Sequence, residues 1–261
     1  MNELPGYVWA IVWIGVVGIP AATLVGLARG ARAVRLAARS AATVVVVAGV
    51  VWAGWLAGSV ALTRAGVYRS DETSDGPWIA VTLFVVLAAA LMATRIPVVA
   101  RILAEAGTPA RLALPQAFRV VGGVFLIVAA LGHLPAVFAV PAGVGDIAVG
   151  LAAPFVAWRL SRRGDRTGAV WFNVLGIADL VVAVTIGFLA APGPANLLAV
   201  TPSTAALATL PLALIPTTAV PLALALHVVS LRRLRASGHA VAATAGPAGP
   251  AVPAAAASPP R

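Results

Sequence analysis

Two aspartates, Asp146 and Asp179, stand inside long apolar stretches of this chain. An ionised carboxylate at the centre of a spanning helix costs about 2.5 to 3.5 kcal/mol on insertion scales, so such a group is kept where it faces a cavity or a partner. Two chemistries follow. Either the carboxyls take up and release protons along a path through the bilayer, or they are hydrogen-bonded acids that tie helices together. Both acids close a small-x-small-Asp unit, Gly143-Val144-Gly145-Asp146 and Gly176-Ile177-Ala178-Asp179. Repeated in adjacent antiparallel spans, such a unit resembles the inverted repeats of transporters; a chain rich in Gly, Ala and Val also produces it by coincidence.

Other polar residues extend the line. His133 is expected near the outer surface beside Asp146, where the pair could pass a proton or bind a cation; an imidazole capping its own helix end is the alternative. Asn173, Arg119 and Gln116 fall toward the inner ends of their spans, and Arg119 is expected either to complete the polar line or to snorkel inward. His227 falls near the inner end of the last span, about 20 Å from His133 by helical rise, which argues against a haem held between them. The last span also carries Pro211, Pro216 and Pro221 with Thr217 and Thr218 between them. Each proline removes a helical hydrogen bond, leaving carbonyls for Thr hydroxyls, water or a cation to satisfy, unless the prolines only kink the helix.

Gly143-Val144-Gly145-Asp146 resembles the GxGD motif of intramembrane aspartyl proteases, the presenilin and prepilin-peptidase class, with Asp179 as the second acid that the resemblance implies. In that class the GxGD helix follows the helix of the other Asp; here the order is reversed. Helical rise over the expected spans puts Asp146 about 6 Å and Asp179 about 16 Å below the outer surface, too far apart for a shared proton.

The elements that must position these residues are set by the bilayer, whose core of roughly 30 Å needs about 20 apolar residues in helical form. The expected fold is all-α: a polytopic transmembrane bundle with seven spans, 7–28, 40–62, 77–94, 116–134, 142–160, 169–190 and 209–231. Arginines occupy alternate gaps. Arg29, Arg32, Arg35 and Arg39 fill the first; Arg95, Arg101 and Arg111 the third; Arg159, Arg162, Arg163 and Arg166 the fifth; Arg232, Arg233 and Arg235 follow the last span. In the second gap Asp71, Glu72 and Asp75 outweigh Arg64 and Arg69, and the fourth and sixth gaps carry no charge. Positive charge in short loops marks the cytoplasmic side, so the amino terminus is expected outside and the carboxyl terminus inside. The net charge of +10 is thereby absorbed in orientation, and no nucleic-acid partner is expected; the partner is the lipid bilayer of a bacterial inner membrane, with a small molecule or ion as substrate.

Small residues mark the faces that touch. In the fifth span Gly143, Asp146, Gly150, Ala153 and Ala157 share a stripe, in the sixth Asn173, Gly176, Asp179, Ala183 and Gly187, and in the fourth Arg119, Gly122, Gly123, Ala130 and His133. The segment Arg95–Glu105 is expected as a short helix on the inner surface, with Arg101 and Glu105 paired at i and i+4, or as a kinked continuation of the third span. The first apolar stretch lacks a preceding positive region and is expected to be retained. Residues 1–235 form the membrane domain; 236–261, rich in Ala, Gly and Pro and including His239, are expected as a disordered tail.

Composition removes several functions. All 18 basic residues are arginine, so a retinal Schiff base, which needs a lysine amine, is excluded. The absence of cysteine removes disulfides, thiolate metal sites, covalent c-type haem and iron-sulfur clusters, and neither a cofactor nor a metal is expected. No nucleotide loop, zinc helix or serine elbow occurs.

Pro115-Gln116-Ala117-Phe118-Arg119, Gly143 to Asp146, and Leu226-His227-Val228-Val229-Ser230 resemble an uncharacterised family of bacterial multi-spanning membrane proteins, over roughly the last four spans. The resemblance implies the membrane fold and no activity. Three functional expectations stand: a small-molecule or proton-coupled transporter using Asp146 and Asp179; a non-catalytic assembly or sensor subunit; and a membrane-embedded enzyme using the same carboxylates. Polar residues spread from outer to inner depth favour the first.

Overall fold

A computed structural model describes residues 4–69, 77–193 and 197–244, with side chains through residue 236. The acidic run Asp71, Glu72 and Asp75 and the tail beyond residue 244 lie outside the described residues.

Every regular element among them is helical. The first two are α1 (Gly6–Ala33) and α2 (Ala38–Arg64), followed by α3 (Trp78–Ala93) and α4 (Pro97–Leu103). Next come α5 (Thr108–Ala113), a 3-10 segment (Leu114–Gly123) and α6 (Val124–Ala130), which together read as one stretch. The chain continues through α7 (Ala136–Arg163), α8 (Arg166–Leu189), a short 3-10 turn (Thr204–Ala208), a π-helical turn (Ile215–Ala219) and α9 (Val220–Thr244). Six of these segments are long and apolar enough to cross a membrane. α3 has 16 residues and meets α4 at a bend of 83°.

The burial pattern is that of a multi-pass membrane protein. Val50, Val51, Phe84, Val85, Leu151 and Phe155 are exposed, whereas Gln116, Arg119, Asn173, His227 and Ser230 are buried. A water-soluble chain would not leave so much contiguous apolar surface bare, and hydrocarbon demands that polar groups turn inward. α2 is the most peripheral span, burying only Ser59 and Thr63.

Local chemistry explains the boundaries. Gly164 adopts a left-handed φ of 64° and ends α7, a conformation that costs glycine nothing, and Asp165 then caps α8 by accepting from Gly168 N–H at 2.9 Å. Pro141 does not open α7, as the expected start at 142 implied. The helix begins at Ala136, immediately after Pro135, and Pro141 lies inside it. This moves Asp146 deeper than expected: it stands ten residues in from Ala136, and Asp179 ten residues back from Leu189, so by helical rise both lie about 15 Å from that end of the bundle. The expected difference in depth between the two acids does not exist.

The fourth stretch shifts as well. It starts at Thr108 rather than Gln116, because Pro109 and Pro115 occupy first-turn positions where no amide donor is needed. Arg119 therefore stands midway between Thr108 and Ala130 instead of at an inner end. α9 runs to Thr244, beyond the expected end of the membrane domain at 235. In the α4–α5 connection, Glu105 pairs with Arg111 rather than Arg101, while Arg101 reaches the Val34 carbonyl at 3.4 Å.

Candidate functional site: an arginine between two membrane carboxylates

The 3-10 segment sets the site. With three residues per turn, side chains at i and i+3 eclipse, so Gln116, Arg119 and Gly122 form one buried face. The 3-10 segment packs chiefly on α7, the most extensive helix pairing among the described residues. From it the Arg119 guanidinium reaches both acids. Its Nε donates to Asp146 Oδ1 at 2.7 Å, its Nη2 lies 2.7 Å from the same oxygen, and Nη2 also pairs with Asp179 Oδ2. The Arg119 side chain is 2% exposed, against 14% for Asp146 and 17% for Asp179. Arg119 does not snorkel. A planar, always charged fork suits this role because it can bind two carboxylates at once.

The third donor points the other way. Arg119 Nη1 lies 3.3 Å from His227 Nε2 and 3.5 Å from the Gly176 carbonyl. The direction of the following bonds is fixed by groups with only one role. The Ala169 carbonyl can only accept, so Asn173 presents its amide nitrogen there at 2.7 Å, and to Ser230 Oγ at 3.1 Å. Asn173 Oδ1 then faces His227 Nδ1 at 3.0 Å, which makes Nδ1 the protonated nitrogen and leaves Nε2 to accept from Arg119. His227 is thus held as one neutral tautomer. A continuous chain runs from the two carboxylates through Arg119, His227 and Asn173 to Ser230.

Three glycines make the approach possible. A Cβ at Gly122 would overlap the Asp146 carboxylate, one at Gly145 the Asp179 carboxylate, and one at Gly176 the His227 ring. Each small residue of the two small-x-small-Asp units that abuts the cluster is therefore a seat for a charged or aromatic neighbour from another segment.

A cleft of about 1500 Å³ leads to this cluster from one end of the bundle. It is bounded by Trp9 of α1, the end of α2 and Tyr68, the start of α3, the end of α8, Leu197 and residues 202–210, with Asp146 and Leu180 deeper within. These are the elements at the end that holds the amino terminus. Toward the other end the cluster is packed shut by Gln116, Asn173, His227 and Ser230, all 3% exposed or less.

The structure brings together Arg119, Asp146, Asp179, Asn173 and His227, and leaves three expected residues elsewhere. His133 lies in the turn after α6 and lines the same cleft as Asp146, but no hydrogen bond joins the two among the described residues. Thr217 and Thr218 sit in the proline-broken segment. There the missing donors are replaced from within the protein. Pro221 has no N–H for the Thr217 carbonyl, and Trp55 Nε1 of α2 donates to it at 3.0 Å. Pro216 likewise leaves the Leu212 carbonyl, which accepts from Ile215 N–H at 3.0 Å. Thr217 Oγ1 bonds the Ala213 carbonyl at 2.7 Å and Ser59 Oγ at 2.6 Å, and Thr218 Oγ1 bonds the Leu214 carbonyl.

The geometry also addresses the resemblance to aspartyl proteases. A single nitrogen, Nη2, contacts both carboxylates, so the pair is bridged by a cation rather than by a shared proton. No group of His, Asp or Glu side chains among the described residues has the makings of a metal site.

No curated protein and no solved structure matches the chain. A family model described as a domain of unknown function (DUF8737) matches residues 76–235. The matched region contains every member of the charged cluster and leaves out α1 and α2, including Trp55 and Ser59. By that match over more than half its length, the chain belongs to the DUF8737 family.

Proposed function

We propose that this protein is a seven-span transporter of the inner (plasma) membrane, with its amino terminus outside and carboxyl terminus inside, that couples movement of a small molecule to proton binding at the Asp146–Arg119–Asp179 cluster. α3, continued through its bend into α4, supplies the seventh crossing. The alternation of arginine-rich and arginine-poor connections supports the orientation.

One observation carries the reading: one guanidinium serves two carboxylates at the closed end of a cleft that opens toward one face. With both acids ionised the trio has a formal charge of −1. Binding one proton or one monovalent cation makes it neutral and releases one of the bonds on Nη2. A change of one charge at mid-membrane is large in a low dielectric, which suits a device that must hold two states. The His227-Asn173-Ser230 chain lies on the closed side, where an inward path would open. Such a cluster is also what a helix-gluing role in an assembly or sensor subunit looks like, since all its carboxylates find partners within the protein.

Proton flux into vesicles reconstituted with the full chain, read with an entrapped pH dye under an imposed gradient, separates the two. Asp179→Asn is expected to abolish proton-linked flux while the protein remains folded. Unchanged flux removes Asp179 from the mechanism; loss of folded protein in both Asp179→Asn and Asp146→Asn, with no separable flux defect, favours the gluing role.

A further inference from the structure

We infer that the cleft binds a single-chain amphiphile with an anionic headgroup, held at Arg64, Arg69 and Tyr68 with its apolar chain directed toward Leu180. This names a substrate class for the transport reading and rests on it only for the idea that the bound molecule is moved.

Most polar groups of the cleft are already used within the protein. Asp146 is occupied by Arg119. Thr63, Thr204 and Thr209 bond the carbonyls of Ser59, Gly187 and Ala206, and Ser203 accepts from Ala205 N–H. What remains is a set of donors. Arg64 and Arg69 have no ionic partner among the described residues, and the Tyr68 hydroxyl has no hydrogen-bond partner although the residue is 3% exposed. The hydroxyl has almost no accessible surface where the ring packs with Ile79, Ala208 and Ala213, so an acceptor reaches it by a small shift of that ring and then returns the free energy that a buried, unpartnered hydroxyl costs. Two guanidinium groups and a phenol within one short stretch of chain match an acceptor-rich head such as a phosphate or carboxylate, with Arg supplying forked donors.

His133 and the indoles of Trp9 and Trp78 also line the cleft, and most of the remaining surface is apolar. Leu83, Phe125, Phe138, Leu180, Phe188 and Ile215 present no polar atom, and the volume of about 1500 Å³ exceeds the roughly 300 to 1,000 Å³ of a typical small-molecule pocket. A compact polar solute would leave that surface unfilled. A chain of methylenes fills it and takes its own apolar surface out of water as it does so.

Equilibrium binding of radiolabelled dodecyl phosphate to the full protein in lipid nanodiscs tests this without any transport step. Saturable binding at one site per protein is expected, with dodecanol and dodecyltrimethylammonium competing poorly and inorganic phosphate not at all. The double variant Arg64→Gln/Arg69→Gln should weaken binding about ten-fold or more, and Tyr68→Phe about three- to five-fold. Size exclusion of each variant reports folding, and Tyr68→Phe stands as the mild variant if the double one fails to fold. No saturable binding, equal competition by dodecanol or by the cation, or unaltered affinity in a folded variant overturns the assignment. Binding as described with no proton-linked flux instead overturns the transport reading and leaves the ligand in place.

Discussion

Arg119 Nη2 lies 2.7 Å from Asp146 Oδ1 and pairs as well with Asp179 Oδ2, so the acids of two different helices meet on one nitrogen of a third segment. Removing one member of a buried charged set leaves the others uncompensated, which typically costs about 3 to 5 kcal/mol. Arg119→Leu is therefore expected to destabilise the protein by that amount. The triple variant Arg119→Leu/Asp146→Asn/Asp179→Asn should recover most of it. Thermal unfolding of the purified proteins in one detergent checks both, and strict additivity of the single losses would dissolve the unit into independent pairs.

Gly145 faces the Asp179 carboxylate so closely that a Cβ would overlap it. Gly145→Ala must displace either α8 or the carboxylate, at about 1 to 3 kcal/mol. Gly54 of α2 has nothing within 4 Å of the corresponding position. Gly54→Ala should accordingly be neutral within about 0.5 kcal/mol or mildly stabilising. Equal melting temperatures for the two variants would contradict the packing described.

Trp55 donates to the carbonyl that Pro221 leaves without an amide partner. Trp55→Phe should cost about 1 to 3 kcal/mol, the penalty of a buried acceptor left unmade. Pro221→Ala returns a backbone N–H to that carbonyl. In the Pro221→Ala background the same Trp55→Phe change should cost distinctly less, and a double-mutant cycle in thermal unfolding measures the difference. Equal costs in both backgrounds would show that Trp55 acts through packing alone.

Much of the architecture follows from residue types that the bilayer sorts strongly. Apolar runs of spanning length and buried small-residue stripes are visible without a structure, and Asp146, Asp179, Asn173, Arg119 and His227 could all be picked out as polar groups in apolar surroundings. What connects them could not. Pro115 and Pro141 look like span boundaries because proline so often ends a helix, yet both are accommodated within helical segments, and that alone puts Arg119 and Asp146 well inside their stretches rather than near the ends. The spacing of Gln116, Arg119 and Gly122 by threes is the trace of the 3-10 segment, hidden because an apolar run of this length reads equally well as α-helix. Ser59, Trp55 and Tyr68 carry no local pattern; their partners, or lack of them, arise from how distant spans pack.

On the α4–α5 connection, partial burial pushes the Glu105 carboxyl up, but the Gly107 N–H bond and the bond and charge of Arg111 outweigh it and hold the group below its ordinary value of 4.5. A group whose pKa is lowered on folding contributes stability above its unfolded pKa and loses it as pH falls through the folded one. Acidification below about pH 4.5 should therefore weaken the wild type at this site. Glu105→Gln should flatten that part of the acid limb in an unfolding series across pH, and an unchanged slope would contradict the pairing.

The charged cluster is reached from the amino-terminal end of the bundle and shut from the other. The chain has no cysteine, so single thiols report without background. Ala183 lines the cleft one helical turn from Asp179, and Leu4 marks the amino-terminal end. In oriented vesicles, Ala183→Cys should react with a membrane-impermeant charged thiol reagent only from the side on which Leu4→Cys reacts, with Ser230→Cys protected from that side. Reaction of Ala183→Cys only from the opposite side, or none at all in a folded variant, would mean that the cleft does not open at the amino-terminal end.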